Sequence, residues 1–340
     1  MPVKVLSAEK VDPAILTSRT IAVLGYGSQG QAHALNLRDF GCRVVVAQRP
    51  GGRNFELALE HGFQPVSIAE AVQQADLLIL ALPDERMGVI YRQEISPELR
   101  GGQALGFIHG FAVRFGLITP PADMDVIMVA PKGPGTLVRE RFKQGGGVTC
   151  LVAVHQDASR SADRLAAAWA VAIGGGRGGM IEATFAEECE SDLFGEQTVL
   201  CGGVLELMKA AYEVLVEAGV PEEIAYFECV HEVKQVVDLH YAAGFAGMRQ
   251  AISNTAAYGG LTRGPRLITA ETRREMRAIL EEIRSGRFAN EWVDECARGC
   301  HTLAALMKSE ADHSAEHAGR AVRSLAAGGL APPAARHAPP

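Results

Sequence analysis

Two pairs of carboxylates in the second half of the chain could hold a divalent cation. Asp192 and Glu196 lie four residues apart, and so do Glu228 and Glu232. On a helix, this spacing places both acids of a pair on one face, one turn apart. Two unpaired carboxylates about 5 Å apart repel each other by roughly 3 kcal/mol at an effective dielectric constant of 20. A hard cation such as Mg²⁺ would remove that cost, because it prefers oxygen ligands.

Apolar neighbours surround both pairs, so we expect the helices that carry them to be largely buried. The alternative is two acidic helix faces in water, or acids neutralised by arginines from elsewhere. The nucleotide-binding pattern described next favours the metal interpretation over that alternative. The apolar neighbours are Leu193, Phe194, Val199 and Leu200 for the first pair, and Phe227, Val230, Val233 and Val236 for the second.

A glycine-rich turn near the start of the chain predicts a dinucleotide site. It separates a short β-branched strand at 20–24 from a helix at 31–39, and a second strand follows at 42–48. This setting is typical of a Rossmann-type fold, in which the helix N-terminus faces a pyrophosphate. The first glycine permits the turn, the second admits the phosphates, and the third lets helix and strand pack closely. The turn reads Gly25-Tyr26-Gly27-Ser28-Gln29-Gly30.

The loop after the second strand favours NADPH over NADH. An NAD site normally has Asp or Glu at this point, to bind the ribose hydroxyls. This chain instead has Arg49 and Arg53, with Gly52 and Asn54 between and after them, and no acid. Two guanidinium groups can bind a 2′-phosphate in a bidentate manner. The alternative is a solvated basic loop.

Four further apolar runs predict parallel strands of a doubly wound sheet, at 77–82, 104–108, 126–130 and 150–154. Ligands bind at the carboxyl ends of the strands in such a sheet. His109 and Lys132 stand at two of these ends. We therefore expect both near the reaction site, with a structural histidine and a lysine in a turn as the alternatives.

The rest of the chain has a different character. Helical periodicity replaces the strand pattern beyond residue 183, with helices expected at 196–218, 221–243, 246–257 and 271–284. Gly174–Gly179 reads as a flexible break near the boundary. We expect an N-terminal Rossmann domain at 1–182, an all-helical domain at 183–328 and a disordered tail at 329–340.

Composition bounds the function classes. A net charge of −7 argues against a nucleic-acid partner. No apolar run reaches the roughly 18 residues of a membrane span, and the N-terminus lacks the apolar core of a signal peptide, so we expect a cytoplasmic protein. The seven scattered cysteines indicate reduced thiols. Cys296, Cys300 and His301 suggest a soft-metal site only weakly, because no second ligand pair accompanies them.

Taken together, these motifs resemble the short-form (class I) ketol-acid reductoisomerases over residues 10–320. The resemblance implies an NADP-dependent enzyme of branched-chain amino-acid biosynthesis, with two Mg²⁺ per site, a knotted helical domain and a homodimer or larger homo-oligomer. The second acidic pair is then expected to reach the site from a partner subunit. The motifs that carry the resemblance are the glycine turn, His109-Gly110-Phe111, the run 125–135, Asp192–Gln197, Ala225–Cys229 and Ser253-Asn254-Thr255.

The resemblance also assigns roles to residues of this chain. His109, Lys132 and Glu232 are implied to be catalytic, with Glu232 able to shuttle a proton, and Ser253 is implied to contact substrate. The implied magnesium ligands are Asp192, Glu196, Glu228 and Glu232. The implied cofactor contacts are Gly25, Tyr26, Gly27, Ser28, Gln29, Arg49, Gly52, Asn54, Asp84 and Gly135.

The implied reaction is a magnesium-dependent alkyl migration in 2-acetolactate or 2-aceto-2-hydroxybutyrate, followed by reduction with NADPH. Gly52 and Asn54 stand where the family often has serines, Gln31 where a histidine is common, and Ala257 where Glu usually follows Ser-Asn-Thr-Ala. None of these departures removes a metal ligand. The alternatives are a metal-independent NADP-dependent hydroxyacid dehydrogenase and a non-enzymatic, cofactor-sensing regulator.

Overall fold

The computed structural model describes residues 3–326, so the tail predicted at 329–340 lies outside the described residues. The chain forms two compact units, the first ending at Ser191 and the second beginning at Asp192. The boundary predicted after residue 182 falls ahead of this division and stays a prediction.

One sheet of seven strands forms the centre of the first unit in the described part of the chain, in the order β2-β1-β3-β4-β5-β6-β7. Strands β1 to β5 pair in parallel, as predicted. The strands are β1 (Thr20–Leu24), β2 (Arg43–Ala47), β3 (Leu77–Leu80), β4 (Ala104–Phe107), β5 (Asp125–Pro131), β6 (Cys150–Gln156) and β7 (Met180–Glu182).

Both faces of the sheet are covered, which explains why its strands are continuous apolar runs. In β1, Ile21 and Val23 face one hydrophobic cluster, whereas Ala22 and Leu24 face another. The predicted doubly wound α/β fold is confirmed. The helices of this unit are α1 (Ala14–Thr17), α2 (Ser28–Phe40), α3 (Arg53–Glu60), α4 (Ile68–Gln74), α5 (Asp84–Ile90), α6 (Phe111–Arg114), α7 (Gly135–Lys143), α8 (Ala162–Ala172) and α9 (Gly175–Gly178), with 3₁₀ turns at Ala8–Lys10 and Ser96–Glu98 and a π-turn at Tyr91–Ile95.

The expectation that the strand at 150–154 is parallel is wrong, because β6 runs antiparallel to β5. The two strands are joined through α7 and a glycine-containing loop, and their apolar composition carries no sign of direction. The short strand β7, which had no strand signal, then pairs in parallel with β6. His155 consequently lies inside β6, and the carboxyl end of that strand is at the edge opposite the ends of β4 and β5.

Gly174–Gly179 is not a break between units, because it lies well inside the first one. Its glycines allow close backbone packing instead. A Cβ atom on Gly178 would lie 2.4 Å from the carbonyl carbon of Val148, and one on Gly147 would lie 1.8 Å from the oxygen of Gly174. The glycines of this stretch are therefore explained by close packing of one backbone segment on another, and not by mobility.

Helices make up the second unit, as predicted, but their bounds differ from the expected ones. The segment expected as one helix at 196–218 is a π-turn at Glu196–Leu200 followed by a helix at Gly203–Glu217. The segment expected as one helix at 246–257 contains the end of one helix and the start of another. The break expected near residue 244 is present, since Gly244 kinks α13 with a φ of 67°. The helix α10 (Phe185–Gly195) precedes α11 (Gly203–Glu217), α12 (Glu222–Tyr226), a π-turn at Phe227–His231, α13 (Val233–Gln250), α14 (Asn254–Leu267), α15 (Ala270–Arg284), α16 (Arg287–Ala297), α17 (His301–Ala311) and α18 (Ser314–Ala326).

No helix within residues 3–326 combines the length and the apolar character that crossing a bilayer demands.

Candidate active site

The glycine turn after β1 is shaped by backbone contacts that exclude side chains at two of its three glycines. Gly25 has a φ of +99°, and a Cβ atom there would lie 2.4 Å from the carbonyl oxygen of Ala81. A Cβ atom on Gly30 would lie 2.2 Å from the Gly25 oxygen, whereas one on Gly27 would meet nothing within 4 Å. Gly27 precedes the first residue of α2, so the open space lies at a helix N-terminus. This arrangement fits a pyrophosphate.

Tyr26 contributes to this turn from inside the core. Its side chain has no exposed surface, and its hydroxyl lies 2.9 Å from Nδ1 of His61. Its backbone N–H donates to Oε1 of Gln48 across 2.9 Å. Burial raises the pKa of Tyr26 to about 12. The phenol therefore supports the turn from the core, and the implied cofactor contact of Tyr26 stays a prediction.

Gln29 and Gly135 connect the glycine turn to the segment after β5. Nε2 of Gln29 donates to the carbonyl oxygen of Gly133 across 2.9 Å. Within residues 3–326, Oε1 of Gln29 is buried and has no hydrogen-bond donor, which fits a group supplied by a ligand. A Cβ atom on Gly135 would lie 2.1 Å from the Ser28 oxygen, so this glycine lets α7 pack on the turn.

The loop after β2 is basic and accessible. Arg49 and Arg53 are both exposed, and Asn54 is half-buried. Gly52 precedes the first residue of α3, and its carbonyl accepts the N–H of Phe55 across 2.9 Å. This loop thus presents two exposed guanidinium groups beside the N-terminus of α3.

Glu188 is the centre of a cluster at the carboxyl ends of β4 and β5, and the sequence interpretation missed it. Only 1% of this residue is exposed. Its Oε1 accepts a hydrogen bond from Nζ of Lys132 across 2.8 Å, and its Oε2 accepts the backbone N–H of Gly110 across 2.9 Å. Nδ1 of His109 lies 3.0 Å from the same Oε2 atom. The structure therefore brings His109 and Lys132 together, as the sheet topology predicted, through an acid on α10.

The charges of this cluster stabilise one another. Burial opposes protonation of His109, but hydrogen bonds to Cys189 and Glu188 and the charges of Glu188 and Asp84 outweigh it. The pKa of His109 is therefore raised well above its ordinary value of 6.5. Burial also opposes ionisation of Glu188, yet His109 and Lys132 outweigh it and hold its pKa below 4.5. Both pKa shifts therefore favour the ion pair between His109 and Glu188.

Cys189 occupies the other side of the imidazole ring. Its sulfur lies 3.9 Å from Nε2 of His109, and the residue is fully buried. Burial is the main reason that the pKa of its thiol is raised. Cys189 is thus a neutral thiol that helps orient His109, and it lacks the thiolate character of a nucleophile.

The predicted metal ligands lie on helical turns of unusual geometry. Glu196 begins the first π-turn of the second unit, and Glu228 lies inside the next one. In a π-turn, a backbone N–H donates to the carbonyl oxygen five residues earlier. Here the N–H of Cys201 donates to the carbonyl oxygen of Glu196 across 2.8 Å, and the N–H of Glu232 donates to that of Phe227 across 3.0 Å. Single π-turns inside α-helices are frequent at functional sites.

The expectation that these acids sit on largely buried helices is wrong for the single chain. Glu196 and Glu228 are exposed, and Asp192 and Glu232 are half-buried. Several apolar neighbours, Phe227 among them, are exposed too. Within residues 3–326, no three of the four acids bring their oxygens within 4.8 Å of one another. One chain therefore does not assemble the four predicted ligands.

The two lysines nearest to these acids in sequence serve other carboxylates. Lys209 is 2.5 Å from Glu310 and also pairs with Glu206, while Lys234 is 2.5 Å from Asp238. These contacts occupy the two nearby ammonium groups.

Ser253 has a structural role in the chain as described. Its hydroxyl accepts the N–H of Ala256 across 3.1 Å and so caps the start of α14. The residue is exposed, and its implied contact with substrate stays a prediction.

Comparison with protein families gives one consistent result. A model described as the acetohydroxy acid isomeroreductase NADPH-binding domain matches residues 15–179. A second, described as the ketol-acid reductoisomerase C-terminal domain, matches residues 185–327. The chain belongs to the ketol-acid reductoisomerase family.

Solved structures agree with this assignment. A ketol-acid reductoisomerase from an uncultured archean, described as NADH-preferring, is 45% identical, with a TM-score of 0.92 over 95% of this chain and 99% of its own. An NAD-binding semialdehyde dehydrogenase protein from Cupriavidus necator is 25% identical, with a TM-score of 0.60 over 78% and 99%. A putative oxidoreductase from Jannaschia sp. shares the fold alone, at 15% identity, with a TM-score of 0.59 over 78% and 97%.

Membership of the reductoisomerase family decides between the functional alternatives. Both domains match, so the ketol-acid reductoisomerase reaction of branched-chain amino-acid biosynthesis is supported over a hydroxyacid dehydrogenase and over a non-enzymatic regulator. The NADH-preferring relative shows that the family relationship alone does not fix the choice of nicotinamide cofactor.

Proposed function

We propose that this reductoisomerase converts 2-acetolactate or 2-aceto-2-hydroxybutyrate to the dihydroxy acid, using NADPH and two Mg²⁺ per site. The observation that carries the proposal is the cluster of His109, Glu188 and Lys132 at the same edge of the sheet as the glycine turn. This edge is where ligands bind in doubly wound sheets.

NADPH is the cofactor that the described residues fit best. When bound, it would supply the hydride for the reduction. Gly27 leaves space for the pyrophosphate, and the helix α2 presents its first N–H groups there. Arg49 and Arg53 would bind the 2′-phosphate, because both are exposed and no acid competes at the end of β2.

Magnesium is the metal that the donor set fits. Four carboxylates and no sulfur or imidazole ligand are typical of a hard divalent cation. We assign Asp192 and Glu196 as one pair of ligands and Glu228 and Glu232 as the other. When bound, the ions would supply Lewis-acid polarisation of the substrate oxygens.

Three side chains of the first unit and one of the second, Glu232, would handle charge and protons. Glu188 fixes the ammonium of Lys132, whose side chain is 30% exposed and can reach a bound anion or water. His109 binds the same carboxylate through Nδ1 and faces the sulfur of Cys189 through Nε2, so its role is to hold Glu188 and Lys132 in position. We assign Glu232 the transfer of a proton at the substrate, since it is half-buried and precedes α13.

A homodimer or larger homo-oligomer would complete the metal site. The support is that one chain does not gather the four acids, and that the second unit exposes large apolar side chains. Examples are Phe227 at 42%, Tyr241 at 88% and Phe245 at 78% exposure. We also propose that the enzyme acts in the cytoplasm, where its free cysteines would remain reduced.

A single assay tests the proposed reaction. NADPH absorbance is followed after adding 2-acetolactate, with Mg²⁺ or with EDTA, and the assay is repeated with NADH. We expect oxidation that requires Mg²⁺ and is faster with NADPH. Supplying the rearranged keto acid separates reduction from isomerisation. Oxidation of NADPH that is unaffected by EDTA would contradict the metal assignment.

A further inference from the structure

Two thiols of the second unit are in direct contact at the corner between α16 and α17. Sγ of Cys300 lies 3.0 Å from Sγ of Cys296. This is closer than the roughly 4 Å of ordinary non-bonded contacts and longer than the about 2.05 Å of a disulfide bond. Both residues are half-buried, and no disulfide joins them. A shift of about 1 Å would therefore bring the two sulfurs to bonding distance.

The backbone of the corner holds the thiols face to face. Gly299 has a φ of +100°, and Cys300 has a φ of +53°, which is rare for a residue with a side chain. The N–H of Gly299 donates to the oxygen of Cys296 across 3.1 Å, and the N–H of Cys300 donates to that of Glu295 across 3.0 Å. The left-handed conformation of Cys300 thus belongs to a hydrogen-bonded turn.

Glu295 fixes the same corner from the other side. Its Oε1 accepts the backbone N–H groups of Thr302, across 2.5 Å, and Leu303, across 3.3 Å, at the start of α17. One residue thus binds the turn through its carbonyl and the next helix through its carboxylate. The approach of the two sulfurs is therefore built into the turn and needs no bound ligand.

We propose that Cys296 and Cys300 form a reversible intrachain disulfide and are a two-electron redox site of this protein. This site is separate from the proposed reductoisomerase activity, and no residue of the candidate active site takes part in it. The oxidant is a peroxide, and the reductant is a dithiol.

The chemistry balances with hydrogen peroxide. One thiolate attacks a peroxide oxygen, the O–O bond breaks, and a sulfenic acid and hydroxide form. The second thiolate attacks the sulfenic sulfur, the S–S bond forms, and a second hydroxide leaves. The two protons lost by the thiols convert both hydroxides to water. The two sulfurs lose two electrons in total, and the peroxide gains them.

A soft metal is the competing occupant of this corner, since His301 follows Cys300. Structural zinc requires four ligands in tetrahedral arrangement. Among residues 3–326, these two cysteines and His301 do not form a group whose ligand atoms lie within 4.8 Å of one another. The described geometry therefore favours a dithiol over a metal site.

Peptide mapping of the whole protein tests the proposal directly. Trypsin cleaves after Arg287, Arg298 and Lys308, so it separates the two cysteines unless a disulfide joins them. After treatment with hydrogen peroxide and alkylation of remaining thiols, we expect peptides 288–298 and 299–308 to appear as one linked species. Dithiothreitol should return them to two separate peptides.

Single variants identify the partners. C296S or C300S should each abolish the linked species, whereas C229S, which changes a half-buried cysteine elsewhere in the unit, should leave it unchanged. The exposed Cys201 reports that the peroxide dose was sufficient. Separate alkylated peptides after Cys201 is oxidised would overturn the proposal. A link from either cysteine to Cys201 or Cys229, or stoichiometric zinc in the purified protein, would do so as well.

Discussion

The carboxylate of Glu188 accepts a hydrogen bond from the ammonium of Lys132 across 2.8 Å, and only 1% of the Glu188 side chain meets solvent. The same carboxylate lies 3.0 Å from the imidazole of His109. Both basic side chains therefore share one buried acid as their partner.

Replacing this acid should impair catalysis and stability together. We expect Glu188→Gln to lower kcat by about 100-fold, because His109 and Lys132 lose their shared counter-ion. The free energy of unfolding should fall by about 3 kcal/mol, near the lower end for a broken buried pair because Lys132 is partly exposed. Glu190→Gln is the matched control, because Glu190 lies on the same helix as Glu188 and pairs with Arg114 of α6. Equal effects of both variants would contradict the central role of Glu188.

The protonation of His109 should depend on the same acid. Because its pKa is raised above 6.5, the ion pair contributes stability fully below pH 6.5 and loses that contribution as the pH rises through the raised value. An NMR titration of the imidazole, assigned with a His109→Gln variant, should show the raised pKa. In Glu188→Gln the pKa should drop, since burial then dominates. A wild-type pKa at or below 6.5 would refute the ion pair.

Two glycines of the phosphate-binding turn should respond differently to alanine. Gly30→Ala should destabilise the fold by at least about 1–3 kcal/mol, because its Cβ would lie 2.2 Å from the Gly25 oxygen. Gly27→Ala should leave the thermal midpoint almost unchanged and weaken NADPH binding, because its Cβ enters open space where a phosphate would lie. Thermal unfolding and cofactor titration measure the two effects. Unchanged NADPH affinity in Gly27→Ala would argue against this binding position.

The basic loop should set cofactor preference. Replacing Arg49 and Arg53 together by alanine should weaken NADPH by about tenfold or more, with little effect on NADH, because only NADPH carries the 2′-phosphate. Michaelis constants for both cofactors measure the ratio. Arg43→Ala provides the control, since this exposed arginine lies at the opposite end of β2. Equal losses for the two cofactors would count against the assignment.

The acidic pair on α10 and its π-turn should be needed for isomerisation only. Asp192→Asn or Glu196→Gln should slow isomerisation by more than the about 10–100-fold that loss of an outer-shell partner costs. NADPH affinity should stay at the wild-type value, as measured by calorimetric titration. Glu206→Gln is the control variant, because Glu206 is an exposed acid that pairs with Lys209 and is not a predicted metal ligand. Isomerisation retained in either ligand variant would exclude these acids as metal ligands.

Much of the first unit was predictable from local sequence. The β-branched run at 20–24 coincides with β1, and the glycine turn comes directly after it. The later apolar runs coincide with β4 and β5, which places His109 and Lys132 just beyond two strand ends. The antiparallel direction of β6 was not predictable, because Cys150–Gln156 has the same apolar composition as its parallel neighbours. Strand direction depends on connections, which composition does not encode.

The candidate site shows the same limit. Glu188 is one of four acids at positions 187, 188, 190 and 192, and nothing in the local sequence distinguishes it from the other three. Its partners Lys132 and His109 are 56 and 79 residues away. Tertiary packing alone decides which of these acids is buried. The four-residue spacing of the predicted metal ligands is plain in the sequence, but the π-turns are not, since a π-turn has no distinct periodicity over so few residues.

The π-turn at Glu196–Leu200 has a consequence for the single-residue deletions that this enzyme can accept. A π-turn holds one residue more than the α-helix that would replace it. Deleting one residue between Glu196 and Leu200 would thus restore regular helical bonding and improve the helix locally. Because the π-turn takes up that extra residue, the same deletion would leave the later side chains near their present directions and would change chiefly the widened turn at Glu196. We therefore expect a single-residue deletion here to be accepted by the surrounding helices and to act mainly on the carboxylate of Glu196, a predicted metal ligand.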